Sequence, residues 1–425
     1  MGEVIATVDI RQDRREPRLL VCFEFPRTGE SVFLPLSERA TQGLQRRASK
    51  YLTELVSEAA RLNIGDDRAV AALLNLFRKG VQLAFLLTQN DGDRVKQLAE
   101  AFRAAWPMWQ AEDWSDARHD VPIIEMRCGD HALPLELLPI FDLSRPPEIR
   151  NYDDVVRLAR RFVGFATVVR RIVRTRMTVD HVLRNEPALP VQFMRHRGLP
   201  SAREEEHFLA SLGDRVQVEG PWPLMEDDNA VRAALVRALY DGSRLDGNSA
   251  AEGDPPVQMH HFACHCDTTP EFDDDYKLEL STRNGRVRKI KFEEIRQGYI
   301  ERIVEQQDST QDRAVIILNA CASSRTNPLT AYSFPDFFLR QGHRAFIGTE
   351  TDVPDSVASA FSRAFYGRLL EAKRPLGEAV VWARRDLLRD FRNPLGLLYV
   401  MYGDTQLTVE RARPGIYRAS AGRSA

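Results

Sequence analysis

VIILNACASS, residues 315–324, decides how this chain of 425 residues folds. Four apolar side chains in succession, closed off by small polar ones, read as a strand buried on both faces, as parallel sheets require. The run ends at Asn319, and a lone thiol, Cys321, follows where the chain breaks into small residues. HHFACHCDTT, residues 260–269, has the same form with an imidazole: the strand QMHHFAC runs out at His265.

Working outward, short apolar strands alternate with amphipathic helices from about residue 188. LPVQFMRH is a strand, and SAREEEHFLASLG a helix with a serine cap; RVQVEG is a strand and NAVRAALVRAL a helix. KLELSTRNGRVRKIKF reads as a hairpin across Asn284-Gly285, inserted between the two motif strands. EEIRQGYIERIVEQ is a helix, FPDFFLRQG another, RAFIG a strand; two long helices and the strand GLLYVMYG close the pattern. This alternation predicts an α/β fold: a three-layer arrangement around a mostly parallel sheet of about six strands. Chemistry in such sheets sits beyond the carboxyl ends of the strands.

Upstream, EVIATVDI, RLLVCFEF and ESVFLPL alternate as three strands, and residues 38–105 turn helical. VPIIEMRCGDHALPLELLPIFD returns to strand, turn and apolar loop, and residues 150–182 are read as helical again. There VRLARRFVGFATVVRRIVRTR (156–176) reads as a basic amphipathic helix covering a neighbouring domain, with an anion-binding surface as the alternative. The expected organisation is an α+β N-terminal region over 1–185, an α/β domain over 186–412 and a flexible tail over 413–425.

Composition narrows the function. Hydrophobic residues make up 43% and charged residues 28%, and the formal charge is −2, so the totals give no reason to expect a nucleic-acid or membrane partner. The N-terminus lacks the basic start and apolar core of a signal peptide, and no apolar run is expected to reach the roughly 18 residues of a membrane span. Five irregularly spaced cysteines do not form a disulfide framework, which fits a reducing cytoplasm.

His265 and Cys321 both follow consecutive strands of one sheet, and a right-handed crossover sets such strands side by side or nearly so. An imidazole beside a thiol generates the thiolate that a nucleophilic cysteine needs, since a free thiol titrates near 8.5. The main-chain N–H groups of Cys266 and Cys321 are candidates for holding a developing oxyanion. Asn319 or a main-chain carbonyl is the candidate for orienting the imidazole. Three adjacent residues, CHC, cannot wrap one tetrahedral metal ion, so neither metal nor cofactor is expected. Cys264 should face the core opposite His265, one of His260 and His261 should do the same, and Cys22 and Cys128 read as structural. In the loops after the strands, Asp267, Glu350, Asp352 and Asp355 are acidic candidates for a pocket reading a basic side chain. Arg197 and Arg203 would favour an acidic one, and Asp355 has a second reading as a helix cap.

At HHFACHC and VIILNACASS the sequence resembles the CHAT family of caspase-like cysteine proteases, in the clan of caspases, separase and gingipains. PLELL at 134–138 is similar to a short motif that precedes many such domains, and the run from FFLRQG to RRDLL resembles the family's C-terminal stretch. The resemblance implies a caspase-like sandwich, with His265 as general base and acid and Cys321 as nucleophile. It also implies a bacterial effector in defence or cell death, cutting a protein partner such as a gasdermin-like pore former, with an activating sensor docked on the N-terminal region. One position departs: the family usually has glycine directly after the histidine, where Cys266 stands, although a backbone N–H survives the change. A silent caspase-like adaptor, and a thiol amidohydrolase for small molecules, are the competing readings.

Overall fold

The computed structural model describes residues 2–12, 18–110, 120–128, 133–173, 181–185, 187–222, 227–243, 256–268, 276–282, 284–304, 313–319 and 334–410. Three strands, β1 (Val4–Gln12), β2 (Arg18–Phe25) and β3 (Glu30–Ser37), precede three helices, α1 (Glu38–Glu58), α2 (Asp66–Leu87) and α3 (Gly92–Ala105). Next come β4 (Ile123–Cys128), α4 (Tyr152–Ala159), α5 (Val163–Ala166), β5 (Val168–Val173) and β6 (Val182–Arg184). The βα alternation then runs β7 (Leu189–Arg195), α6 (Pro200–Ser211), β8 (Val216–Trp222), α7 (Asp228–Asp241) and β9 (Met259–Ala263). An antiparallel insertion, β10 (His265–Thr268), β11 (Tyr276–Ser281) and β12 (Val287–Lys291), leads to α8 (Phe292–Val304). The remainder is β13 (Val315–Asn319), α9 (Phe334–Arg340), β14 (Ala345–Thr349), α10 (Asp355–Tyr366), α11 (Leu376–Phe391), β15 (Tyr399–Gly403) and β16 (Thr408–Glu410).

Eleven strands share one mixed, mostly parallel sheet in the order β3-β2-β1-β4-β5-β15-β14-β13-β9-β7-β8. The six strands expected downstream of residue 188 are the run from β15 to β8. The sheet does not stop there: β5 pairs parallel with β15 through Arg171 opposite Tyr402, and with β4 on its other side, so the N-terminal strands extend it. Between β14 and β15 the pairing is antiparallel. The carboxyl ends of β8, β7, β9, β13 and β14 therefore line one edge.

Alternation along the strands sends side chains to two cores. Val315 and Ile317 join Met259 and Ala263 in the core shared with α1, α2, α6, α10 and α11. Ile316 and Leu318 join Phe262 in the core shared with α7, α8 and α9. The hairpin forms where Asn284-Gly285 was read, with Gly285 at φ +87, a conformation that glycine adopts without strain.

Three readings are corrected. Residues 168–173 are a strand, not helix: Val168, Val169, Ile172 and Val173 prefer the extended backbone, and the buried Arg171 is neutralised by tertiary partners unseen in sequence. Helix α6 begins at Pro200 with Leu199 as N-cap and no side-chain cap; the Ser201 N–H instead donates to Asp355 Oδ2 at 2.7 Å, from the start of α10. Finally, α2 has the length and composition to cross a bilayer despite Arg78 and Lys79. Its Leu73, Leu76, Phe77, Leu83 and Leu87 are buried, with Phe77 edge-on to Phe162 at 6.2 Å.

What joins the two halves is a buried charge cluster. Both guanidinium Nη atoms of Arg171 on β5 donate to the Glu136 carboxylate within PLELL. Arg384 on α11 lies 3.7 Å from the same carboxylate and donates to the carbonyls of Gly164 at 2.6 Å and Tyr399 at 2.5 Å. All three side chains are at most 3% exposed. A side chain at position 164 would meet Glu136 Cβ at 2.7 Å and Leu397 at 2.6 Å, so glycine is what lets PLELL pack this closely. Asn393, ahead of β15, adds a second tie by donating to the carbonyls of Ala59, Arg61 and Leu62 just past α1.

Burial alone would raise the Glu136 pKa, but Arg171 and then Arg384 overcome it and hold the carboxyl below the usual carboxylate range. Burial, with repulsion from Arg171 and against Glu136, brings Arg384 down to about 10. Replacing Glu136 by Ala leaves two buried guanidinium groups without a counter-charge, an expected loss of about 3–5 kcal/mol in denaturant unfolding. A depressed carboxyl stabilises the fold above its unfolded pKa, and that contribution disappears as pH falls through the folded value. The wild type should therefore lose more stability on acidification than Glu136→Ala does.

Candidate functional site

The two motif strands are direct neighbours. β9 and β13 pair in parallel, with His261 opposite Ile317, Phe262 opposite Leu318 and Ala263 opposite Asn319. In sequence, His265 is two residues beyond Ala263 and Cys321 two beyond Asn319. Cys321 lies outside the described residues. After Ala263 the chain bends at Cys264, and His265 opens β10 opposite Glu279 on β11, leaving the imidazole half-buried at the sheet edge.

A second imidazole, unnoticed in the sequence, meets it there. His196 follows β7, and its N–H donates to the Ala263 carbonyl at 2.8 Å, fixing the loop to the end of β9. Its ring stands edge-on to that of His265, with centroids 4.8 Å apart. The Gly198 N–H donates to His196 Nδ1 at 3.0 Å, so that nitrogen is an acceptor and carries no proton. Burial, and then the nearby His265, hold the His196 pKa below the ordinary histidine range, with Glu279 opposing. The signal was the histidine itself, one residue past a strand and just before Arg197, in a loop read only for its arginines.

Below the edge lies a polar network. Glu205 of α6, 1% exposed, sits 2.9 Å from His261 Nε2 and accepts from Asn319 Nδ2 at 3.2 and 3.1 Å. Asn319 Nδ2 also donates to the Ala358 carbonyl at 3.2 Å, and its Oδ1 accepts from the Tyr399 hydroxyl at 2.6 Å. His261 Nδ1 is 3.1 Å from the Tyr366 hydroxyl. Asn319 thus spends its amide on Glu205, Ala358 and Tyr399, not on the His265 imidazole. Glu205 was read only as one of three glutamates in a helix, yet Ala202, Glu205 and Leu209 share the buried face at i, i+3 and i+7.

The remaining candidates separate. Cys264 is buried, as are His260 and His261 on alternate faces of β9, and burial pulls the His260 pKa down to about 3. Cys266 pairs with Leu278, and its side chain joins the apolar cluster of Leu278, Leu280 and Ile290. Cys22 and Cys128 are free and buried. Asp267 lies on β10 opposite Lys277. The Glu350 charge acts on Arg171 and Tyr402, Asp355 is bonded to the start of α6, and Asp352 is exposed. Arg197 and Arg203 are exposed at the mouth of the β7–α6 loop and on α6. Among the described residues no group of three or more His, Cys, Asp or Glu side chains could hold a metal ion.

The contact between the imidazoles has a measurable consequence. Replacing His265 by Ala removes a like charge and admits water to the His196 ring, and both effects favour its protonated form. In an NMR titration the His196 midpoint, below the ordinary value in the wild type, should move upward in His265→Ala. An unchanged or lower midpoint would show that the two rings do not interact.

The CHAT domain family model matches residues 158–412, more than half of the chain, from the end of α4 through β16. A protein of Vitiosangium sp. (strain GDMCC 1.1324) named "Probable protease" is 30% identical over 94 residues, spanning 22% of this chain and 12% of that relative. Two crystal structures of the Saccharomyces cerevisiae separase–securin complex, at 3.0 and 2.6 Å resolution, superpose with TM-scores of 0.42 and 0.41 at 11% identity. In each the match covers 96% of this chain and 30% of the other. By the extent of the family match, the chain belongs to the CHAT domain family.

Proposed function

We propose that the protein is a cysteine endopeptidase of caspase-like architecture whose dyad is His265 and Cys321. The observation that carries this reading is the β9–β13 register, with the two side chains equally far past paired residues. Neighbouring strands lie about 4.8 Å apart, a separation from which an imidazole and a thiol come within reach of one another. His265 takes the Cys321 proton, and the thiolate adds to a peptide carbonyl. The backbone N–H groups of Cys266 and Cys321 hold the oxyanion. His265 then protonates the leaving amine, and the acyl-enzyme is hydrolysed by a water that His265 deprotonates.

The substrate is a protein segment, and Asp352, exposed where Glu350 and Asp355 are partly covered, would read a basic side chain before the cut. Asp267, Glu350 and Asp355 are secondary candidates for that pocket, since the charge or hydrogen bonds of the last two are already engaged within the fold. The N-terminal 185 residues receive an activating protein partner, and the cellular role is that of a cytoplasmic defence effector.

Incubating the wild type and Cys321→Ala with a randomised peptide library tests this. Cleavage by the wild type, lost in Cys321→Ala and in His265→Ala, is the expected result, together with a preference for Lys or Arg before the cut that weakens in Asp352→Asn. Equal cleavage by wild type and Cys321→Ala rejects the dyad. Partner binding without cleavage by either would identify an adaptor.

A further inference from the structure

We infer that Glu205 is a positioning residue for the dyad, a single carboxylate that sets β9, the strand leading to His265, against β13, the strand leading to Cys321. The inference rests on the endopeptidase reading above. Its basis is the connectivity of one buried group. From α6, the Glu205 carboxylate reaches His261 on β9 at 2.9 Å and Asn319 on β13 at 3.2 and 3.1 Å. His261 lies four residues before His265, and Asn319 two before Cys321. The same two oxygens therefore touch both strands within a few residues of the site.

One ring contact and one amide orientation hold this group in place. His261 Nε2 lies 2.9 Å from the carboxylate, off the line of a hydrogen bond, and its Nδ1 is 3.1 Å from the Tyr366 hydroxyl. Tyr366 stays a donor, because burial and then the Glu205 charge push its pKa well above the ordinary tyrosine value. Asn319 has one amide orientation that works: Nδ2 toward Glu205 and the Ala358 carbonyl, Oδ1 toward the Tyr399 hydroxyl. The last residue of β13 is thereby held from α6, α10 and β15 in addition to its ladder bonds.

Position 205 also faces an apolar core, where a leucine would fill the space without desolvating a charge. A buried carboxylate is a costly way to fill it, and a one-residue slip between β9 and β13 would turn every partner to the wrong face. Only the native register lets both strands meet one carboxylate, so the charge selects that register. Misplacement of reacting groups by about 1 Å costs on the order of 100-fold in rate.

Glu205→Gln keeps the volume and puts an amide NH2 against either His261 Nε2 or the Asn319 NH2, the latter donor facing donor. On the peptide cleaved by the wild type, kcat should fall at least tenfold with KM within threefold. The rate of Cys321 alkylation by iodoacetamide, followed against pH, should move toward the profile of an ordinary thiol near 8.5. Glu204→Gln, at the exposed neighbouring position, should leave both unchanged. A merely structural role would lower the melting temperature without moving the alkylation profile of the folded fraction.

If Glu205→Gln does not fold, Tyr399→Phe decides, because it removes only the hydroxyl that Asn319 accepts. A threefold or greater loss in kcat with the same displaced profile supports the inference. A folded variant with wild-type kcat and profile overturns it. The dyad reading fails separately, if wild-type Cys321 alkylates like a free thiol or Cys321→Ala still cleaves.

Discussion

A carboxylate taken out of water costs several kcal/mol unless hydrogen bonds replace its hydration. Glu205, 1% exposed beneath the sheet edge, accepts from Asn319 of β13 through both oxygens and lies 2.9 Å from His261 Nε2 of β9. The constraint is geometric as much as energetic: β9 must lie beside β13, in one register, with α6 packed across both. The last residues of both strands, Ala263 and Asn319, thereby reach the edge side by side. His196 is tied to the same place by its N–H on the Ala263 carbonyl.

A second buried carboxylate solves a different problem. Glu136 lies between Arg171 and Arg384, one from the strand that joins the N-terminal sheet to the rest and one from a C-terminal helix. The sheet is continuous from β3 to β8 because β5 can enter it with an arginine facing inward, and that arginine is tolerated because PLELL supplies its partner. Asn393 closes the same junction from the other side, capping the chain after α1. The end of α1 is thus bonded to the segment leading into β15, whose Tyr399 bonds Asn319.

The two histidines at the edge differ in role. His265 faces Glu279 across an antiparallel pair and is half-buried, a setting that would suit the proton exchange proposed for it. His196 is held as a neutral ring by the Gly198 N–H and by its neighbour. A neutral ring edge-on to His265 restricts its rotation without adding a competing positive charge.

The sequence by itself determined the six downstream strands of the main sheet, the first three strands, most helices and the hairpin, because period-2 and period-3.6 patterns, Asn-Gly and short apolar runs are local signals. The strand order beside His265 and Cys321 followed from chain order and crossover handedness alone. It misjudged Val168–Val173, where two arginines masked the β-branched pattern, and the start of α6, whose exposed N–H is capped by Asp355 some 150 residues away. Only the tertiary structure decided the eleven-strand sheet, the His196 contact and the roles of Glu136, Glu205 and Asn319. Each depends on which distant polar group meets a buried charge, and no spacing along the chain records that meeting.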